Sequence, residues 1–140
     1  VEIEQAIFGK LTTDATVTAR IGTRLYPGQA PADAALPLSV YGKANQQYIM
    51  ALARRLSTNR YTMHLDVWAR DYDDCQAAYH AIRDSLAGFA GTLGEGGETV
   101  AVLGIFDEGG DDDAEGPIFA EENGLYRAGI DLSITYQKGA

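Results

Sequence analysis

Between Arg60 and Leu86 the hydrophobic period of the chain changes from two residues to three and four, and this change restricts the fold more than any other feature. From Arg60 to Arg70, Tyr61, Met63, Leu65, Val67 and Ala69 alternate with Thr62, His64, Asp66 and Trp68. Such alternation belongs to a strand with one buried face. After Asp71 the stripe Tyr72, Cys75, Tyr79, Ile82 and Leu86 recurs at helical spacing, with Asp71 or Asp73 placed to cap its start and Gly88 close to its end. The apolar face of the strand is therefore expected to meet the helices.

The flanking segments extend the pattern. Ile3, Ala6, Ile7 and Leu11 predict a first helix, with Glu2 and Glu4 in the turn where negative charge favours the dipole. Asp14 is placed to cap a second, short helix whose Val17 and Ile21 face inward and which Gly22 stops. Pro27, Gly28, Pro31 and Pro37 enforce a non-helical crossing. Leu38, Val40 and Gly42 then alternate with Ser39, Tyr41 and Lys43 in a strand expected to pair with Arg60–Arg70. Thr99 to Leu103 reads as a strand, and Tyr126, Ala128, Ile130, Leu132, Ile134 and Tyr136 alternate through a last one. No long crossover helix separates these strands. The expected class is α+β: a mixed, mainly antiparallel sheet with helices packed on one face, in a single domain spanning 1–140. Trp68, Asp66, Arg127, Asp131 and Thr135 share the opposite face, which would be polar or available to a neighbour.

Charge and cysteine content narrow the function. A formal net charge of −9 argues against a nucleic-acid reader, because neutralising phosphates needs clustered Lys and Arg. A single cysteine, Cys75, excludes an internal disulfide and fits a reducing cytoplasm; lacking a basic neighbour in its own turn, it reads as a buried core thiol. No basic leader precedes an apolar stretch, and no apolar run approaches the roughly 20 residues that cross a bilayer. Neither export nor membrane binding is expected.

Reactive chemistry finds little support. His64 and His80 have no second nitrogen or sulfur ligand at metal spacing. Gly94 to Gly97 contains Glu95 and no Lys, which makes it a turn and not a phosphate cradle. No nucleophile elbow or Ser/His/Asp constellation is present. The segment 111–122 matches the oxygen spacing of a calcium loop through Asp111, Asp113, Glu115 and Glu122, with Gly116 at the turn. Its flanks do not match: a strand precedes it, and Gly109-Gly110 and Asn123-Gly124 break the helices such a loop needs. A solvated acidic loop joining two strands is the competing reading. No cofactor is expected.

Asn45 to Asn59 joins two strands, yet Ile49, Leu52, Ala53 and Leu56 recur at helical spacing beside Arg54 and Arg55. That apolar content serves either the chain's own core or a neighbouring subunit. In the second case Tyr48, Met50, Arg54 and Arg55 are the contact residues, aromatic, Met and Arg side chains being enriched in interfaces. Trp68 is a further anchor candidate, its alternative being burial beneath a loop.

Four local signatures occur in order along the chain: Arg24-Leu-Tyr-Pro27, Leu36-Pro-Leu-Ser-Val-Tyr41, Asp66-Val-Trp-Ala-Arg70 and Gly91-Thr-Leu93. With the helical start and the closing strand, the chain resembles the tail-completion or tail-terminator proteins of long-tailed bacteriophages and gene transfer agents. Its acidic stretch from Asp107 to Glu115 is longer than that family pattern. The resemblance implies a structural protein and not an enzyme. It implies a homo-oligomeric ring, a hexamer, that ends tail-tube growth, with the tail-tube protein and a head-completion protein as partners. DNA would pass through without specific binding, and the ring would sit at the tail end next to the head after assembly in the bacterial cytoplasm. Two other readings stand beside it: a calcium-binding module centred on 111–122, and a small enzyme whose site has no sequence signature.

Overall fold

A computed structural model describes residues 3–51, 54–95, 98–107, 117–121 and 124–138, with 43–51, 54–58, 95, 98 and 138 described as backbone. The elements are α1 (Ile3–Thr13), α2 (Ala15–Ile21), β1 (Leu25–Pro27), β2 (Leu38–Ala51), β3 (Arg54–Ala69), α3 (Tyr72–Leu86), β4 (Gly91–Glu95), β5 (Glu98–Asp107), β6 (Ile118–Ala120) and β7 (Leu125–Lys138). Among the described residues, no helix is long and apolar enough to cross a membrane.

The helices form where the periodicity places them. Ile3, Ala6, Ile7 and Leu11 are the buried residues of α1. Asp14 caps α2 by accepting a hydrogen bond from the Thr16 backbone at 2.9 Å, and Gly22 ends it at φ 60°, where a side chain would be strained. In α3 the buried set is Cys75, Ala78, Tyr79, Ala81, Ile82 and Leu86. Tyr72, expected on that stripe, is 40% exposed, and its ring packs edge-on against Tyr126. His80 is exposed on the same helix, and Cys75 is a buried thiol, 3.6 Å from the Val67 and Tyr126 carbonyls.

The sheet runs β1-β2-β3-β7-β5-β4, with β6 on β7. Every pairing is antiparallel except β1 on β2. The inward residues of β3 (Tyr61, Met63, Leu65, Val67, Ala69) and of β7 (Ala128, Ile130, Leu132, Ile134, Tyr136) are all buried, and they form one core with the helices. The parallel pair β1–β2 joins two of the sequence signatures to each other, Leu25 opposite Ser39 and Pro27 opposite Tyr41. Arg24 reinforces it by donating from Nε to the Pro37 carbonyl at 2.7 Å.

The segment from Asn45 to Asn59 departs from its helical spacing. It is an antiparallel ribbon, with Tyr48 opposite Asn59, Met50 opposite Arg55 and Ala51 opposite Arg54; residues 52 and 53 lie outside the described part. Four apolar residues within eight positions satisfy a helical template by chance, and the flanking strands, already paired in register, extend their ladder instead. The short strands β1, β4 and β6 were not anticipated as strands; three to five residues carry too little alternation to be recognised.

The core residue Leu65 is fully buried between β3 and the helices, and its replacement by Ala is expected to cost about 2 to 5 kcal/mol of stability, read from denaturant unfolding. Asp14→Ala removes one cap bond, and the expected loss by the same measurement is smaller, about 1 kcal/mol.

Candidate interaction face

The face of the sheet opposite the helices is assembled by register. Trp68 pairs with Arg127 and Leu38, Asp66 with Gly129 and Val40, and His64 with Asp131 and Gly42. Because β3 and β7 bury their other faces, these side chains are left together on the outside.

Four of them form a connected charge cluster. His64 Nδ1 lies 2.5 Å from Asp131 Oδ1, and its Nε2 lies 2.9 Å from Asp66 Oδ1. The same Asp66 oxygen accepts from Arg127 Nη1 at 2.6 Å. A neutral imidazole has one N–H and one acceptor nitrogen, so it satisfies only one of two carboxylates; the imidazolium satisfies both. Burial acts to lower the His64 pKa, but the Asp131 hydrogen bond and the Asp66 and Asp131 charges outweigh it, and the pKa is raised from the ordinary 6.5. In that state two cations face two anions and the cluster is balanced.

Beside the cluster, the loop 28–36 overhangs the ends of β2 and β3. It encloses a groove of about 630 Å³ lined by Pro31, Leu36, Val40, Trp68, Arg70 and Leu125 among others. Ser39 ties the floor together by donating to the Asp66 carbonyl at 3.1 Å. Trp68 is half-buried in this groove, which gives it a place both in the fold and at the surface. Three of the four signature segments, Arg24–Pro27, Leu36–Tyr41 and Asp66–Arg70, converge at this end of the sheet.

The other predicted contact residues lie elsewhere. Tyr48, Met50, Arg54 and Arg55 sit on the β2–β3 ribbon, at the far end of the strands from Trp68. Asp111, Asp113, Glu115 and Glu122 lie outside the described residues. Among the described residues, no group of three or more His, Cys, Asp and Glu is arranged to hold a metal ion. Alternation alone puts Asp66, Arg127 and Asp131 on one face, and His64, which has no second metal ligand at sequence spacing, belongs with them. The alternation already placed it between Thr62 and Asp66; only its partner on β7, 67 residues away, was hidden.

What this face offers is contact geometry on a rigid sheet, within an α+β fold of the kind seen in virion chains. A solved structure of the virion of a native gene transfer agent particle contains a chain with a TM-score of 0.71 and 18% identity, the match covering 99% of this chain and 95% of that one. No curated protein matches by sequence. The family described as tail completion protein gp17 matches residues 5–137, and the chain belongs to that family. Membership makes it a structural protein of a phage-type tail.

The raised His64 pKa sets a direction for pH dependence. Stability from the cluster is fully present below the ordinary histidine pKa of about 6.5 and is lost as pH rises through the raised folded value. The expected advantage of the wild-type chain over His64→Gln is largest near pH 5 to 6 and declines on the alkaline side. These side chains are about a quarter to a third exposed, so about 1 kcal/mol or less is at stake, measured by denaturant unfolding across pH.

Proposed function

We propose that the chain forms a homo-oligomeric ring, hexameric by its family resemblance, that ends tail-tube polymerisation and joins the tail to a head-completion protein. The observation that carries this reading is the family match over nearly the whole chain. The fold supplies the means. Beyond Tyr41, β2 has β3 on one side and no described strand on the other, and β4 is the last strand at the opposite side of the sheet. Unpaired strand edges recruit other chains, and a head-to-tail contact repeated by a closing rotation yields a ring.

In this reading the protein works as a structural part and not as an enzyme, without a cofactor or a membrane. Tyr48, Met50, Arg54 and Arg55 on the ribbon and Trp68 in the groove are its contact residues. The tail-tube protein meets one side of the ring and the head-completion protein the other, and a copy seated on the tube stops growth because its far side differs from a tube subunit. DNA passes through without specific binding, which agrees with a net charge of −9 that repels the phosphate backbone.

Tails assembled without this chain are expected to overgrow and to fail to attach to capsids, and adding the purified chain to growing tubes should cap them at one end, as seen by electron microscopy. Tubes of unchanged length that join capsids without it would overturn the reading. Tyr48→Ala is expected to weaken self-association about tenfold in sedimentation while leaving the unfolding midpoint in place.

A further inference from the structure

The two groups of contact residues lie at opposite ends of the same pair of strands. From Val40 at the groove to Ala51 at the end of β2 is roughly 35 Å of extended chain. Among the described residues, β3 before Thr58 pairs with β2 alone, its pairing with β7 beginning at Thr58, so this part of the ribbon is two-stranded. A two-stranded ribbon is marginal by itself in water. This one carries Tyr48, Ile49, Met50 and Leu56, an apolar content that isolated solvation does not favour.

Charge is divided in the same way. Residues 43–60 contain Lys43, Arg54, Arg55 and Arg60 and no Asp or Glu, a formal +4. Since the whole chain is −9, the remainder carries −9 − 4 = −13. At the groove end, Asp66 lines the groove, Asp33 stands on the overhanging loop between the lining residues Ala32 and Ala34, and Asp71 follows directly on Arg70, which also lines it; Asp33 and Asp71 are exposed. A basic, apolar projection at one end thus matches an acidic-rimmed groove holding Trp68 at the other.

We propose that the ribbon of one copy seats in the groove of the next, its apolar residues against Trp68 and Arg54 and Arg55 against the rim acids. This rests on the ring reading above and names the contact that closes it. The contact is heterologous, since each copy gives a ribbon and receives one, so its repetition is not limited to two subunits. Opposite charge at the two ends also selects this docking over ribbon-to-ribbon or groove-to-groove encounters, in which like charges meet.

The test uses two charge-reversed forms of the full chain, followed by sedimentation velocity at several concentrations. Arg54→Glu/Arg55→Glu alters the ribbon and Asp33→Lys/Asp71→Lys alters the rim. Asp71 makes no side-chain cap bond, Asp33 and Asp71 are exposed, and circular dichroism checks that both forms are folded. Each form alone is expected to associate at least tenfold more weakly than wild type. An equimolar mixture should regain association within about threefold, because Glu ribbons then meet Lys rims and Arg ribbons meet Asp rims. The chain carrying all four substitutions should recover likewise. Wild-type association by either form alone would overturn this contact and leave the ring reading standing. Weakening by the ribbon form without recovery in the mixture would also overturn it, placing the ribbon against a surface of the next copy other than the groove. A wild-type chain that stays monomeric both in solution and on purified tail tubes would remove the ring reading and this contact with it.

Discussion

The structure depends on one constraint: β3 and β7 must bury the same face. Their antiparallel register extends from Thr58 opposite Gln137 to Ala69 opposite Tyr126, and along it the inward side chains of Tyr61 to Ala69 and of Ala128 to Tyr136 are buried. A slip of one residue would turn Leu65 and Ile130 to water and bring His64 and Asp131 into the core. Hydrophobic burial therefore sets the position of every charge on the outer face. The His64 cluster is a by-product of core packing in this sense, since its members meet only because Leu65 and Ile130 do.

A second layer of organisation lies at the groove end. β1 adds to β2 in parallel, Arg24 holds the Pro37 carbonyl, and Gly28 donates its backbone N–H to the Tyr41 carbonyl at 2.8 Å. These contacts pin both ends of the loop 28–36 while leaving its middle to overhang Trp68. The short signature segments that make the chain resemble its family are thus largely the parts that build this overhang, which explains how segments with no catalytic content identify a fold.

Long, strongly periodic elements were legible in the sequence. The two faces of β3 and β7, the α1 and α2 boundaries with Asp14 and Gly22 as caps, and the helical layer on one side all follow from spacing alone. Pairing was less legible. That Asp66 would meet Arg127, and His64 would meet Asp131, requires the register of two strands 61 and 67 residues apart at these contacts, and nothing local to either strand encodes it. The ribbon misled for a different reason: Ile49, Leu52, Ala53 and Leu56 fit a helical template, while the evidence for strand came from neighbours already committed to a ladder. Asp33 and Asp71 gained meaning only when the fold brought their segments to one end.

Strands β5 and β6 share a track. β3 occupies one edge of β7 along nearly its full length, so β5, which pairs with Leu132–Lys138, and β6, which pairs with Leu125–Arg127, both lie along the other edge. β5 ends at Asp107 and β6 begins at Ile118 on that same edge. The connection between them is a natural splice point: with residues gained or lost there the ladder on either side keeps its alignment, so related chains are free to diverge in its length and charge under a common architecture.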